Sequence, residues 1–397
     1  MPGATPADEG RAAGLPARRP VLPEIEAQRP IDALVVKLAA RCNMACSYCY
    51  WFRDPSVMAL PKRMGEDVAA QLIVRLREHI LDHRLDRFTL VLHGGEPLLF
   101  GKGRFLSLGL AAEALAAETG CDIRLCITTN GLLIDEDRVL LFIRFRVAVT
   151  LSLDGPADQH DRVRFDLRGR PTYAKTVAAL ERLRAFGQEP GILAVADPSG
   201  DPDALLDHFV AELGLKELDV LIPDATADDA PPAIAPFFIG LFERWWTTYA
   251  AAGVRIRLFD AIIAGLVGAS SGVESIGYGP VRAATISSDG AIEAHDVCRI
   301  TGRMGAGLNL ATDALDDIRA TEPWRAIFDA SLDLAPACRA CPWAQVCGGG
   351  HIASRWSRAN GFANASVYCA DLKAVIAHIW ARVAPELEFT MREPLHA

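Results

Sequence analysis

RCNMACSYC, residues 41–49, places three cysteines directly behind a short apolar run at 33–38. A run of this length and composition is typical of a strand buried on both faces, as in a parallel sheet. The cysteines are spaced Cys-x3-Cys-x2-Cys and would stand at the carboxyl end of that strand. Because barrel enzymes place their chemistry at this end of their strands, the motif predicts a metal site at the mouth of an α/β fold.

Five more apolar runs of strand length follow, at 88–93, 123–128, 147–153, 192–195 and 219–222. Amphipathic stretches lie between the runs, at 68–80, 106–119, 136–145, 173–186 and 203–213. Such alternation with short connections predicts a parallel sheet covered by helices. Six strand–helix units predict a partial (β/α)6 barrel rather than a closed eightfold one.

The pattern changes on both sides of this region. Residues 1–30 are rich in Pro, Ala, Gly and Arg and are expected to be disordered, whereas 31–275 form the barrel and its connecting helices, one of them at 231–252. From about 276 the helical period weakens, Ser288-Asp289-Gly290 predicts a hairpin turn, and cysteines cluster. We predict a second, cysteine-bearing domain at 276–372, then a C-terminal helix at 371–383 and a tail, with 373–397 as the last segment.

Composition narrows the class of protein. The 397 residues are 51% hydrophobic and carry a formal net charge of −9, which disfavours a nucleic-acid partner because holding a phosphate backbone requires a basic excess. The sequence has no run of 18 apolar residues and no signal-peptide core, so no membrane partner is expected and the predicted location is the cytoplasm. Ten cysteines in such a chain indicate metal ligands rather than disulfides.

The first cysteine group, Cys42, Cys46 and Cys49, suits a [4Fe–4S] cluster. Three thiolates hold three irons of a cubane and leave the fourth iron open. An open iron can take the amino and carboxylate groups of S-adenosylmethionine, and electron transfer then splits the sulfonium. The alternative is a zinc site, which normally has four ligands in tetrahedral geometry.

Two further motifs follow the second and third apolar runs. Gly94 and Gly95 would let the backbone approach a ligand closely, and Glu96 can accept a hydrogen bond from an ammonium group. The sequence Thr-Thr-Asn-Gly stands at 128–131. Each motif alone is also typical of an ordinary turn.

The fourth run ends in Ser152 and Asp154, which can hydrogen-bond a ribose. Arg164 follows a short distance on and can pair with a carboxylate through its fork, the alternative being a solvated surface charge. Because all of these motifs stand at consecutive strand ends, we expect them to converge on one ligand.

The second cysteine group consists of Cys338, Cys341, Cys347 and Cys369, a four-thiolate set. Its spacing permits either an auxiliary [4Fe–4S] cluster or a structural zinc site. Because Cys42, Cys46 and Cys49 already indicate an iron–sulfur enzyme, the auxiliary [4Fe–4S] cluster is favoured over zinc.

Together, Cys-x3-Cys-x2-Cys, Gly-Gly-Glu-Pro, Ser-Leu-Asp-Gly-Pro with a downstream His-Asp-x2-Arg, and the C-terminal cysteine set resemble radical SAM enzymes that carry a SPASM domain. The resemblance covers nearly everything from 31 to 383. It implies that Arg164 and Ser152 contact the carboxylate of S-adenosylmethionine. It further implies that Glu96 binds its amino group, that Tyr48 flanks the adenine, and that an external donor such as flavodoxin or ferredoxin supplies electrons.

A narrower resemblance is to the FxsB-type peptide maturases, carried by VLHGGEPLL at 91–99, RLFDAIIAGL at 257–266 and NGFANASVYCADLK at 360–373. It implies that a 5′-deoxyadenosyl radical removes a side-chain Cβ hydrogen from a ribosomally made precursor peptide. The carbon radical then joins an aromatic ring, forming a cyclophane. Thioether formation, epimerisation, formylglycine formation and a non-catalytic iron–sulfur or zinc protein remain as alternatives.

The sequence departs from the full SPASM pattern of two auxiliary clusters: 275–284, before the hairpin, has no cysteine, and His295 and His351 stand at two further cysteine positions of that pattern. One auxiliary cluster is therefore predicted rather than two, and the histidines are expected to be polar or partly buried residues. The resemblance also implies that Asp296 is a general base, the alternative being a solvated hairpin carboxylate. Cys298 is expected on the same strand face as Asp296, as a buried thiol.

Overall fold

A computed structural model describes residues 29–302 and 305–392, so the segment predicted to be disordered at 1–30 lies almost wholly outside the described residues. The described chain forms one ten-stranded sheet in the order β10-β9-β8-β1-β2-β3-β4-β5-β6-β7. The strands are β1 Ala33–Ala39, β2 Arg87–Gly94, β3 Asp122–Thr129, β4 Ala148–Ser152, β5 Gly191–Val195, β6 Glu217–Leu221, β7 Arg255–Ile256, β8 Ala283–Ile286, β9 Ala291–Glu293 and β10 Gly305–Asn309.

The six predicted strands are confirmed as β1 to β6, which lie side by side in chain order and pair in parallel. Leu34, Val36 and Leu38 of β1 are fully buried, as a strand covered by helices requires. The short strand β7 extends the parallel sheet beside β6 and was not predicted, because two residues carry no periodic signal. The result is the open, partial barrel that the strand–helix alternation indicated.

Helices connect the parallel strands and cover the sheet. They are α1 Glu66–His83, α2 Lys102–Thr119, α3 Glu136–Arg144, α4 Ala157–Val163, α5 Tyr173–Ala185, α6 Pro202–Asp207, α7 Ala235–Arg244, α8 Arg257–Leu266, α9 Glu322–Leu332, α10 Pro336–Arg339, α11 Ala344–Cys347 and α12 Cys369–Arg392. Helix α1 buries Leu72, Leu76 and Ile80, the apolar face expected from their spacing. None of the helices within 29–302 and 305–392 is long and apolar enough to cross a membrane.

Two predicted helices differ from the observed ones in form. The helix expected at 203–213 is α6 followed by a π-helical turn at His208–Glu212. The helix expected at 231–252 begins only at Ala235, because the preceding prolines lack the N–H groups that a helix interior needs, and it continues as a π turn at Trp245–Tyr249. Neither difference moves a strand end.

The predicted hairpin is present: β8 and β9 pair antiparallel around Ser288-Asp289-Gly290, with Gly290 at φ +85°. Strand β8 also pairs in parallel with β1, from Ala33 opposite Ala283 to Val36 opposite Ile286. The hairpin therefore belongs to the same sheet as the barrel strands. This pairing brings the C-terminal region beside the first strand, where the first cysteine motif begins.

Candidate active site

A cavity of about 650 Å³ opens at the carboxyl ends of the parallel strands, a volume typical of small-molecule sites. It is closed on the other side by residues that follow β9 and by the region around 348–355. Ten of the predicted site residues line it: Cys42, Cys46, Tyr48, Cys49, Gly94, Gly95, Glu96, Ser152, Arg164 and Asp296. The expected convergence of consecutive strand ends is therefore seen in the fold.

The loop with the first cysteines is fixed by backbone contacts to the segment after α4. The N–H of Ala45 donates to Phe165 O at 2.9 Å, and that of Ser47 donates to Val163 O at 3.0 Å. Burial, followed by the charges of Glu96 and the neighbouring thiols, raises the pKa of Cys42 to about 12. Burial also raises the pKa of Cys46. Thiols in such a site become thiolates when a bound cation compensates their charge, so the residues fit a metal cluster.

Gly94 and Gly95 have a local structural reason to be glycine. The N–H of Gly95 donates to Ala39 O at 2.8 Å, which brings the end of β2 against the chain leading to Cys42. A Cβ on Gly94, whose φ is +144°, would lie 2.2 Å from Ala39 O, and one on Gly95 would lie 2.4 Å from Arg41 O. The close backbone approach expected for a ligand is therefore also made to the protein's own chain.

Glu96 is buried and braces the turn after β3. Its carboxylate accepts from Thr129 Oγ1 at 2.7 Å, Asn130 N at 3.0 Å and Leu98 N at 3.0 Å. Burial raises its pKa, and the three donors oppose that shift. Through these bonds the Thr-Thr-Asn-Gly sequence holds the end of β3 against the end of β2 at the cavity.

Arg164 is buried beside Asp154 rather than solvated. Arg164 Nε donates to Asp154 Oδ2 at 2.8 Å, and the hydroxyl of Tyr48 donates to the same oxygen at 2.5 Å. The other oxygen of Asp154 accepts from Val195 N at 3.1 Å. Both oxygens of Asp154 are bonded within the protein and the residue does not line the cavity, and the ribose contact expected of it stays a prediction. Asp154 lies behind Tyr48 and Arg164, and these two residues line the cavity.

Asp296 lies in the cavity wall in a buried network that the sequence did not predict. Lys37 Nζ, fully buried, lies 2.6 Å from Asp296 Oδ1, and the hydroxyl of Tyr50 donates to Asp296 Oδ2 at 2.5 Å. Lys37 also lies 3.3 Å from His93 Nδ1. Burial would raise the pKa of Asp296, but the ammonium of Lys37 lowers it to about 2. A lysine inside an otherwise apolar strand was the available signal, since a buried charge needs a partner.

The second cysteine group lies outside the cavity lining. Cys338 is in α10, Cys347 ends α11 and Cys369 begins α12. Burial, followed in part by the charges of Cys338, Cys369 and Cys341, raises the pKa of Cys347 to about 12. Burial, followed by the charge of Cys369, also raises the pKa of Cys338, so these two thiols become thiolates more readily when a bound cation compensates their charge.

The spacing of the sulfurs bears on the choice of metal. Within 29–302 and 305–392, His79, His83 and Asp316 form the one group of three or more His, Cys, Asp or Glu whose ligand atoms lie within 4.8 Å of one another. Tetrahedral zinc with Zn–S bonds of about 2.3 Å would hold its sulfurs about 3.8 Å apart. The cysteine spacing of the second group permits either an auxiliary [4Fe–4S] cluster or a structural zinc site.

His295 and His351 are buried or half-buried beside each other, with ring centroids 5.7 Å apart. His295 Nε2 lies 2.9 Å from Glu274 Oε2, so this ring nitrogen already has a partner. The expectation for Cys298 is wrong in part: it is buried, but Val297–Thr301 is a 3₁₀ helix rather than a strand, so alternation does not relate it to Asp296.

The family model described as "Radical SAM superfamily" matches residues 36–205, which hold the first cysteine group and the strand-end motifs. The protein is a radical SAM enzyme. S-adenosylmethionine and [4Fe–4S] clusters are the cofactors of such an enzyme, and the half-buried thiols of Cys42, Cys46 and Cys49 at this cavity fit them.

Two curated relatives span nearly the whole of this radical SAM chain. The serine-type anaerobic sulfatase-maturating enzyme of Bacteroides thetaiotaomicron is 24% identical over 395 residues, covering 92% of each chain. The cysteine-type enzyme of Clostridium perfringens is 24% identical over 370 residues, covering 89% of this chain and 97% of that one. The solved structure of native anSMEcpe with bound AdoMet matches with a TM-score of 0.79 and 22% identity, covering 90% of this chain and 99% of that chain, and it supports the fold.

Proposed function

We propose that this radical SAM enzyme modifies a ribosomally made peptide, with Cys42, Cys46 and Cys49 as the ligands of its catalytic [4Fe–4S] cluster. The observation that carries the proposal is that these thiols and the carboxylate of Asp296 line one cavity. A base beside the radical-generating group suits an oxidation at carbon that releases a proton. The names of the relatives, which mature sulfatases, support a polypeptide substrate.

S-adenosylmethionine is assigned to the part of the cavity bordered by the strand ends, against Tyr48, Gly94, Gly95, Glu96, Ser152 and Arg164. When bound, it supplies a 5′-deoxyadenosyl radical. Glu96 is oriented by three donors and can accept from the ligand's ammonium. Arg164 donates through Nε to Asp154 and through Nη1 to Cys46 Sγ at 3.9 Å, and its Nη2 is assigned to the ligand's carboxylate. Asp154 acts through Arg164 and Tyr48.

One auxiliary [4Fe–4S] cluster is assigned to Cys338, Cys341, Cys347 and Cys369. The clustering of these four thiols in a chain that also matches the radical SAM family model supports this assignment. A cluster with four thiolates has no open iron, so its role is to move electrons. An external one-electron donor, such as flavodoxin or ferredoxin, would reduce the enzyme.

Asp296 is assigned as the base. The ion pair with Lys37 lowers the pKa of Asp296 to about 2, which keeps the carboxylate ionised at neutral pH. Its two oxygens contact Lys37 and Tyr50, and these contacts hold the carboxylate in one orientation in the cavity wall. A positioned carboxylate of this kind can take the proton that a radical intermediate of the peptide releases.

The product we propose is a carbon–carbon cyclophane, on the resemblance of 91–99, 257–266 and 360–373 to FxsB-type maturases. One C–H bond breaks at Cβ and one at the aromatic ring, and one C–C bond forms. The Cβ hydrogen atom would leave as part of 5′-deoxyadenosine, the ring proton would go to Asp296, and a cluster held by Cys338, Cys341, Cys347 and Cys369 would accept the remaining electron. Formylglycine formation is the second candidate, because the relatives that span this chain carry that kind of name.

The test is mass spectrometry of a precursor peptide encoded beside this gene, after anaerobic co-expression. A cyclophane loses two hydrogens, and its fragments map to an aromatic residue joined to a neighbouring Cβ. Oxidation of a serine to formylglycine loses the same mass, so a hydrazide probe for aldehydes is used to separate the two products. If the probe captures the modified peptide, the product is formylglycine and the cyclophane proposal is wrong.

Cys46→Ala should abolish both the peptide change and the release of 5′-deoxyadenosine. Cys121→Ala is the matched control, since Cys121 is a buried thiol outside both cysteine groups. Zinc in place of iron in the purified protein, with no turnover of S-adenosylmethionine under reductant, would contradict the catalytic proposal.

A further inference from the structure

Three side chains far from the cavity converge at the end of α1. His79 and His83 lie one helical turn apart on one face of this helix, and Asp316 comes from the 3₁₀ helix at Leu315–Ala320. Asp316 Oδ2 lies 2.9 Å from His79 Nδ1 and 2.7 Å from His83 Nε2. None of the three lines the cavity, so the cluster stands apart from the radical chemistry.

The surroundings of His79 limit where its proton can be. The ring is buried, 2% exposed, and Nε2 lies 2.8 Å from the carbonyl oxygen of Ile31. A carbonyl only accepts, so Nε2 must carry a hydrogen. The neutral ring then turns the lone pair of Nδ1 toward the carboxylate of Asp316. Two lone pairs at 2.9 Å repel, so a cation, either a proton or a metal ion, belongs between them.

Two further features favour a metal ion. An imidazole that binds a metal through one nitrogen commonly donates its other N–H to a backbone carbonyl, as His79 does to Ile31. The second oxygen of Asp316, Oδ1, is buried and has no hydrogen-bond partner. A metal ion bound by both carboxylate oxygens would satisfy Oδ1, whereas a proton on His79 would leave it unsatisfied.

We propose that His79, His83 and Asp316 bind one zinc ion. Two imidazoles and a carboxylate are a donor set that zinc accepts, with water as the fourth ligand. All ligand atoms lie within 4.8 Å of one another, and tetrahedral zinc with bonds of about 2.0–2.2 Å holds its ligand atoms about 3.3–3.6 Å apart. The contacts of Asp316 Oδ2 to His79 and His83, at 2.9 and 2.7 Å, would therefore open by about half an ångström to admit the ion.

The ion would have a structural role. His79 is tied to Ile31 just before β1, and Asp316 belongs to the region after the hairpin, so the site joins the start of the barrel to the C-terminal region. The same two parts meet at the cavity through Lys37 and Asp296. A zinc ion at this position would join the start of the barrel to the C-terminal region without contacting substrate.

The experiment uses the anaerobically purified holoenzyme, incubated with Zn²⁺, desalted, and analysed for zinc, iron and sulfide per chain. Wild type should retain one zinc more than His83→Ala and Asp316→Asn, with the iron content equal in all three. His378→Ala is the matched control, because His378 forms a comparable pair with Glu243 at 2.7 Å without a second histidine. A competing chelator should report zinc affinity at least tenfold weaker in both site variants.

The retained iron shows that the variants have folded, and His83 at the helix end is partly exposed, which makes its replacement tolerable. Equal zinc in wild type and His83→Ala would overturn the proposal. A zinc signal lost instead with Cys338→Ala would assign the ion to the cysteines. No retained zinc in wild type would leave a protonated His–Asp pair, and the site would be an ion pair only.

Discussion

Lys37 Nζ lies 2.6 Å from Asp296 Oδ1, joining the first strand of the sheet to the segment just after the C-terminal hairpin. Both side chains are buried, and the hydroxyl of Tyr50 contacts both of them. This ion pair links the two regions that carry the cysteine groups. It also sets the charge state of the residue that we assign as the base.

Replacing Lys37 alone should lower the free energy of unfolding substantially. Lys37→Met leaves Asp296 as an uncompensated buried charge, and breaking a buried pair in this way costs about 3–5 kcal/mol in the free energy of unfolding. The double variant Lys37→Met/Asp296→Asn removes both charges and should recover at least about 1 kcal/mol relative to the sum of the single changes. Denaturant unfolding of the four proteins measures this coupling.

The control for that cycle is Lys102→Met. Lys102 pairs with Asp135 and Asp137 on the surface, and an exposed pair is worth about 0–1 kcal/mol. A loss for Lys37→Met no larger than for Lys102→Met, or strict additivity in the cycle, would show that the pair is energetically unimportant.

Asp296→Asn should separate radical generation from product formation. S-adenosylmethionine should still be cleaved, since Asp296 is not among the residues assigned to it, whereas peptide product should fall by about 10²–10⁴-fold. Release of 5′-deoxyadenosine and modified peptide are measured in the same reaction. Asp289→Asn on the same hairpin is the control, because asparagine keeps the oxygen that accepts from Ala291 N. Product formation by Asp296→Asn at the wild-type rate would exclude its role as the base.

Gly94→Ala should damage the first cluster site more than Gly101→Ala. Both glycines have positive φ, +144° and +97°, so each substitution strains the backbone by about 1–2 kcal/mol. A Cβ at 94 also meets Ala39 O at 2.2 Å, whereas one at 101 meets nothing within 4 Å. The expected result is a lower Tm and lower iron content for Gly94→Ala only, and equal losses in both variants would contradict the steric argument.

His160 should make the fold sensitive to mild acid. Burial, and then the charge of Arg164, lowers its pKa to about 4 from 6.5. Between these values the unfolded chain binds a proton that the folded chain refuses, so the free energy of unfolding falls as pH drops from about 6.5 to about 4. The loss for this group is about 3 kcal/mol in total.

The test compares wild type with His160→Gln by denaturant unfolding across this pH range. The variant should show a shallower dependence, by up to about 1.4 kcal/mol per pH unit, because one proton fewer is linked to unfolding. Identical slopes for the two proteins would mean that His160 takes its proton without unfolding.

Local patterns were sufficient for the six parallel strands, most of the helices and the hairpin. Each element has its own periodic or turn signal within a few residues, and parallel strands in chain order place their carboxyl ends at one edge. For that reason the cysteine spacing and the polar residues at strand ends predict one common site from the sequence alone. The same reasoning reached Asp296 only through the family resemblance.

The tertiary structure alone decided which side chains face the cavity and which support them. Asp154 stands at a strand end like Ser152, yet the fold turns it toward Arg164 and Tyr48, away from the cavity. Pairing of β8 with β1 brings Asp296 to Lys37, and packing of the C-terminal region on α1 brings Asp316 to His79. Partners so distant along the chain leave no local signal, because their contact depends on how whole elements pack. What the amino-acid order specified was the set of elements and their chemistry; the charge pairs between distant elements came from folding.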